Sequence, residues 1–175
     1  YTPLPDVSGV DTFTFKANDG LQDSNIGSMS VTIDAVNDSP TLADIADPAA
    51  IDEDAAEQAV NLSGITAGGN EIQALAVTAS SNNTALIPVP AVTYTSPNTT
   101  GSLAYTPVSS ASGTAIITVT VTDAGLDGTA GTGDDAIVQK TFTVTVNAVN
   151  DAPTLADISD PAAVDEDAGA QTVNL

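Results

Sequence analysis

The sequence contains no histidine, cysteine or tryptophan, and only two of its 175 residues, Lys16 and Lys140, are basic. Each absence removes a class of function. Without His or Cys there is no Ser-His or Cys-His nucleophile pair and no ordinary zinc site. Without Cys no disulfide forms, so cysteine usage says nothing about redox compartment. Twenty-three acids against two bases give a net charge of −21, which repels nucleic acid and anionic membrane surfaces. No apolar run approaches the roughly 18 residues of a membrane span, so no membrane insertion is expected in this segment. No signal peptide is expected within this window. Because the sequence starts at Tyr1, any targeting segment is expected outside this window.

What is present is an unusual acidic mixture. Nineteen of the 23 acids are Asp and four are Glu, namely Glu53, Glu57, Glu71 and Glu166. Asp is a turn and loop residue and a hard-cation ligand, whereas long solvated helices would carry Glu. At 42% hydrophobic the chain is richer in apolar residues than a disordered acidic tail. Aromatics make up 3%, so the core is expected from Val, Ile, Leu and Ala, with Phe13, Phe15 and Phe142 as rare large pieces.

The chain repeats itself. Residues 35–62 (AVNDSPTLADIADPAAIDEDAAEQAVNL) align with 148–175 (AVNDAPTLADISDPAAVDEDAGAQTVNL) at an offset of 113, with 22 of 28 positions identical. A weaker correspondence sets Tyr1-Thr2-Pro3 on Tyr105-Thr106-Pro107, Gly9 on Gly113 and Asp19 on Asp123, at an offset of 104. Met29 against Phe142 is again at 113, so the extra residues fall in the loop AGLDGTAGTGDD after Asp123. The arithmetic divides the chain into the C-terminal part of one module (1–38), a complete module (39–151) and the N-terminal part of a third (152–175). A window on a longer tandem array is expected.

Period-2 alternation marks the elements. Ile117, Val119 and Val121 alternate with Thr118, Thr120 and Thr122 in 113–123, and Phe142, Val144 and Val146 alternate with Thr in 141–147. Phe13 and Phe15 repeat the pattern. Further strands are expected at 57–62, 72–79, 84–88, 91–95 and 101–106, and no useful stretch has helical periodicity. Seven short strands in about 110 residues predict an all-β fold, an immunoglobulin-like antiparallel β-sandwich repeated in tandem. The Cys-Trp-Cys hallmark of antibody domains is missing.

The carboxylates fall in recurring clusters. Asp34, Asn37 and Asp38 (DAVNDSP) are mirrored by Asn147, Asn150 and Asp151 (NAVNDAP); Asp52-Glu53-Asp54 is mirrored by Asp165-Glu166-Asp167; the Asp19 loop has a longer partner holding Asp123, Asp127, Asp134 and Asp135. A strand ending in A-x-D-G or TD, a last strand and then VND-[SA]-P resembles the cadherin-like repeats of very large bacterial surface proteins and adhesins. The resemblance runs through the whole chain. It implies calcium bound between successive modules by these groups. Alternating strand direction then sets the Asp123 loop against Asn37 and Asp38, and Asp52, Glu53 and Asp54 against Asn150 and Asp151. The chain departs from the cadherin pattern: VND-[SA]-P lacks the third Asn, there is no D-R-E, and Asn70-Glu71 stands nearest the missing D-x-D. One ion per linker, or an ion inside the long Asp loop, is therefore implied rather than a three-ion cluster.

Calcium takes six to eight oxygens, and converging carboxylates repel one another unless a cation compensates. Each cluster also has a plainer reading: VND-[SA]-P as a linker turn, Asp52–Asp54 as a solvated loop, Asp123–Asp135 as a Gly-rich hairpin. Recurrence once per module suits a structural element better than a glycosidase-type carboxylate pair, so no enzyme is expected. The expected function is a structural segment of an extracellular stalk, adhesin shaft or filament at a bacterial cell surface. Its expected partners are neighbouring modules and, through Thr faces or edge strands, other copies associating laterally into a fibre. The alternative is a ligand- or carbohydrate-binding module, for which only Tyr1, Tyr94 and Tyr105 are available as stacking aromatics.

Overall fold

The computed structural model describes residues 1–173 and is all-β. Nine strands are formed in chain order: β1 (Gly9–Phe15), β2 (Gly27–Ile33), β3 (Ile51–Asp52), β4 (Gln58–Ser63), β5 (Leu75–Ser81), β6 (Ala91–Thr93), β7 (Thr100–Tyr105), β8 (Gly113–Asp123) and β9 (Ile137–Asn147). β1 and β2 pair only with each other. The other seven make two sheets, ordered β3-β9-β8-β5 and β4-β7-β6. Ahead of β3, Thr41 and Ala43 bond to Thr66 and Ser63 beside β4, so this segment touches both sheets in turn. Numbered from that first segment, the order is A-B-E-D facing A′-G-F-C, the immunoglobulin arrangement.

Alternation builds the core. On β8, Ala115, Ile117, Val119 and Val121 point inward; on β9, Phe142, Val144 and Val146 do; Leu62, Ile65, Leu86, Ile87 and Leu103 close the other side. β-branched residues dominate because two methyls on Cβ fill the pleated surface of a strand. The outward rows are hydroxylated, with Thr118 opposite Thr141 and Thr120 opposite Thr78.

Three expectations are corrected. The strand expected at 84–88 is a turn: Asn83 O accepts from the amides of Leu86 and Ile87, and Pro88 and Pro90 withhold ladder donors. Leu86 and Ile87 are nonetheless buried, which is why their apolar run imitated a strand. The sandwich is not purely antiparallel, since β3 pairs parallel to β9. A first strand that crosses from the B edge to the G edge must run alongside G. Finally, the strand expected at 72–79 starts at Leu75, and Ile72 is exposed.

Candidate functional site

The same alternation that buries Val121 turns Asp123 inward at the end of β8, where it is 1% exposed. Its amide donates to Ala136 O at 3.1 Å and its Oδ1 accepts from Ala136 N at 2.9 Å, so the loop 124–136 closes on this one residue. Oδ1 also accepts from Gly125 N at 3.0 Å and from Asn37 Nδ2 at 3.3 Å. Oδ2 accepts from nothing.

Asn37 connects that carboxylate to a second strand end. Its Nδ2 donates to Asp134 O at 2.9 Å, and its Oδ1 accepts from Gln73 Nε2 at 2.6 Å. Gln73 Nε2 also donates to Glu71 Oε2 at 2.9 Å, which in turn accepts from Asp38 N at 3.1 Å. Gln73 Oε1 is a second buried oxygen without a partner. Gly69 lies at φ 41°, and a Cβ there would collide with the Asp38 carboxylate. The adjoining cleft of about 650 Å³ is lined by Asp6, Asp34, Asp38, Asn70, Glu71 and Gln73 among others.

Three further loop carboxylates meet at Thr132. Asp134 Oδ2 accepts from Leu126 N at 2.9 Å and Asp127 N at 3.3 Å, while Thr132 Oγ1 donates to Asp134 Oδ1 at 2.7 Å and to Asp135 Oδ1 at 3.2 Å. Asp127 Oδ1 accepts from Thr129 N, and Asp135 Oδ2 from Gly131 N. The Thr132 hydroxyl first, and backbone amides after it, hold Asp134 below the usual carboxylate range. These side chains cap their own loop. Asp19 does the same in the shorter loop, accepting from Leu21 N and Gln22 N at 2.9 Å; those amides lower its pKa.

At the other end of the sandwich, Glu53 is 5% exposed. Its amide donates to Asn147 O at 3.1 Å and its Oε1 accepts from Val149 N at 2.9 Å. Asp52 and Asp54 do not join it but border a shallow hollow with Val149. Asn150 donates to its neighbour Asp151 O, and both are exposed. Ala55 N bonds to Asp52 O and Ala168 N to Asp165 O, each at 3.0 Å, so the DED turn recurs in the second copy.

Among the described residues no group of three or more acidic side chains, those around Thr132 included, is placed to hold a metal ion. The candidate junction is instead a mixed oxygen set: the Asp123 and Glu71 carboxylates, the Asn37 and Gln73 amide oxygens and the Asp134 carbonyl. No protein cation serves it, since Lys140 pairs with Asp44 at 2.6 Å and Lys16 with Asp23 at 3.1 Å. The sequence reading passed over Gln73 and gave Glu71 only as a stand-in. Their signal was position, just before β5 at the end of the sandwich where Asn37 enters.

No protein-family model matches the sequence, and no curated protein matches it. Among solved structures, the crystal structure of the S-layer protein SbsC domains 4 and 5 is similar over 78% of this chain, at 16% identity and a TM-score of 0.35. The chain covers 58% of the length of that structure. No helix is long and apolar enough to cross a membrane among the described residues.

The donor set at Asp123 fits a hard divalent cation. Calcium accepts carboxylate, amide and backbone carbonyl oxygens together. A carboxylate oxygen buried without a donor is destabilised until something positive or protic meets it.

Proposed function

We propose that this chain is a structural repeat segment of an extracellular stalk, adhesin shaft or surface filament on a bacterial cell, with calcium stiffening the junctions between β-sandwich modules. The observation that carries the reading is the Asp123 carboxylate. One oxygen gathers the loop and the incoming Asn37, and the other is buried with nothing to bind. Asp123, Glu71, Asn37 and Gln73 would hold the ion, with Asp38 beside them. When bound, calcium supplies the positive charge that these oxygens lack. The residues themselves fix the angle at which residues 1–38 enter the sandwich, because Asn37 is bonded to two separate strand ends.

The division into 1–38, 39–151 and 152–175 belongs to this reading. It is supported by the 113-residue repeat and by the separate β1–β2 sheet. A scaffold rather than an enzyme is favoured because the acids recur once per module, as turn caps and at the ends of the sandwich. Of the three tyrosines, Tyr105 is buried and Tyr94 partly so, while the exposed Tyr1 stacks on Phe13 of its own strand pair.

The test is thermal unfolding of the 175-residue chain in millimolar calcium and in EDTA, for wild type and Asp123→Asn. A ligand at a hundredfold excess over its dissociation constant stabilises by about 2.7 kcal/mol. Wild type is expected to melt higher in calcium than in EDTA, and magnesium is expected not to substitute. Asp123→Asn keeps the capping oxygen but loses the charge, so its melt should no longer respond to calcium. Equal melting of wild type in both buffers would overturn the calcium junction.

A further inference from the structure

The segment between the candidate junction and β4 runs beside β9 at a nearly constant register. Lys140 Nζ donates to Asp44 Oδ1 at 2.6 Å, Thr143 N to Asp47 Oδ1 at 2.6 Å and Val149 N to Glu53 Oε1 at 2.9 Å, each pair separated by 96 residues. Between them Ile51 pairs with Val146 and Asp52 with Asn147 in the parallel β3–β9 ladder, and Glu53 N donates to Asn147 O. Residues 44–53 therefore form one parallel tie to residues 140–149. Only its C-terminal end is a backbone ladder. Pro48 has no N–H and restricts Asp47 to extended conformations, so a continuous strand is blocked there. Asp47 meets the Thr143 amide with its carboxylate in place of a backbone carbonyl, and Asp44 takes the Lys140 ammonium.

We propose that this tie is a mechanical clamp: it is the element that resists extension when the chain is pulled from its two ends. The direction of the strands carries the argument. The chain enters beside Asp134, at the start of β9, and leaves beyond Asn147, at its end. Tension draws residue 44 away from residue 140 along the strand axis. The three side-chain links and the short backbone ladder are loaded together in shear, rather than peeled one after another. The tie shields the core sheets, because neither can separate until residues 44–53 slide off β9. The second copy carries matching residues at the same spacing, Asp157, Asp160-Pro161, Val164 in place of Ile51, Asp165 and Glu166.

The inference rests on the stalk reading for its purpose, since only a chain held at both ends is stretched, but its geometry is measurable without it. With no cysteine in the chain, introduced cysteines give unique handles for single-molecule pulling. Handles at Tyr1 and Leu175 load the tie in shear; handles at Ser39 and Asp135, at one end of the sandwich, peel it. Rupture in shear should need a higher force than peeling. It should release roughly 350 Å of chain, from about 100 residues at 3.3–3.6 Å each. The double variant Asp44→Ala/Asp47→Ala removes the two side-chain links at the N-terminal end of the tie. It should lower the shear force, where the links share the load, by more than it lowers the peeling force, where they break one at a time. Its melting temperature should shift little, because exposed pairs add little at equilibrium. Val77→Ala serves as the converse, a lower melt at unchanged shear force. Equal forces in the two geometries, or a double variant as strong as wild type, would overturn the clamp. Repeating the shear pull in EDTA separates it from the calcium junction. A clamp without calcium keeps the double-variant effect, and a calcium junction without a clamp keeps only the calcium response.

Discussion

Asp44, Asp19 and Asp134 use their carboxylates in three ways, and each is held below the usual range. Lys140 lowers Asp44 by hydrogen bond and charge, amides of residues 22 and 21 lower Asp19, and the Thr132 hydroxyl lowers Asp134. A carboxyl whose folded pKa is depressed stabilises the fold at pH above its unfolded value, near 3.9, and that contribution is lost as pH falls through the folded value. The melting temperature is therefore expected to be flat above about pH 5 and to fall below about pH 4. Asp134→Ala should melt lower at neutral pH and show a shallower acid slope; a slope as steep as wild type would remove Asp134 from this account. At this scale much was legible. Alternation through 113–123 places Asp123 inward as surely as it places Val121. Which oxygen of Asp123 stays unpaired was not legible, because that depends on Gly125, Ala136 and Asn37 arriving from three segments.

At the scale of elements, the two copies give a comparison at one repeat position. Phe142 on β9 is 2% exposed and Met29, its counterpart on β2, is 53% exposed. The same strand pattern is buried only where a second sheet faces it. Phe142→Ala is expected to lower stability by about 3–5 kcal/mol, the range for emptying an aromatic site in a core. Met29→Ala should cost under about 1 kcal/mol, as at surface positions generally. Chemical denaturation of both variants checks the contrast, and similar losses would contradict it. The long strands β8 and β9 were readable because Thr marks their outer face at every second residue. The two-residue β3 was not, since its pairing is decided by β9, far along the chain. The turn at 84–87 was misread because burial, not pairing, selects Leu86 and Ile87. Gly125 shows a local constraint of another kind: at φ 59° with Asp134 Cγ 2.5 Å from where a Cβ would sit, a side chain there would displace the Asp134 carboxylate from its loop amides.

For the whole molecule, the repeat was the clearest message in the sequence. Alternating strand direction set the Asp123 loop against Asn37, and Asn37 bonds to Asp123. Of Asp52, Glu53 and Asp54, only Glu53 reaches the segment after β9, at Val149 rather than at Asn150 or Asp151. What the repeat could not show is that the acids of one loop would turn inward on their own amides, while amides from Asn37 and Gln73 joined the junction. Spacing reports which residues lie at an end, whereas hydrogen-bond partners depend on the path of each loop. The scarcity of cations has a last consequence, for proteolysis. Trypsin has two targets in the entire chain. Lys16 follows β1 in a loop, its side chain about half exposed at 49%. Lys140 lies inside β9, paired to Val119 on one side and held by Asp44 on the other. Digestion of native protein is expected to stop after one cut, leaving residues 17–175 intact. Cleavage after Lys140 then becomes a clock for opening of the sandwich, accelerating only under conditions that unfold it. Mass spectrometry of a digestion series reads both events, and an early fragment ending at Lys140 would show that β9 is not held as described. A surface built almost without lysine and arginine thus leaves trypsin-like enzymes of its surroundings with a single accessible foothold.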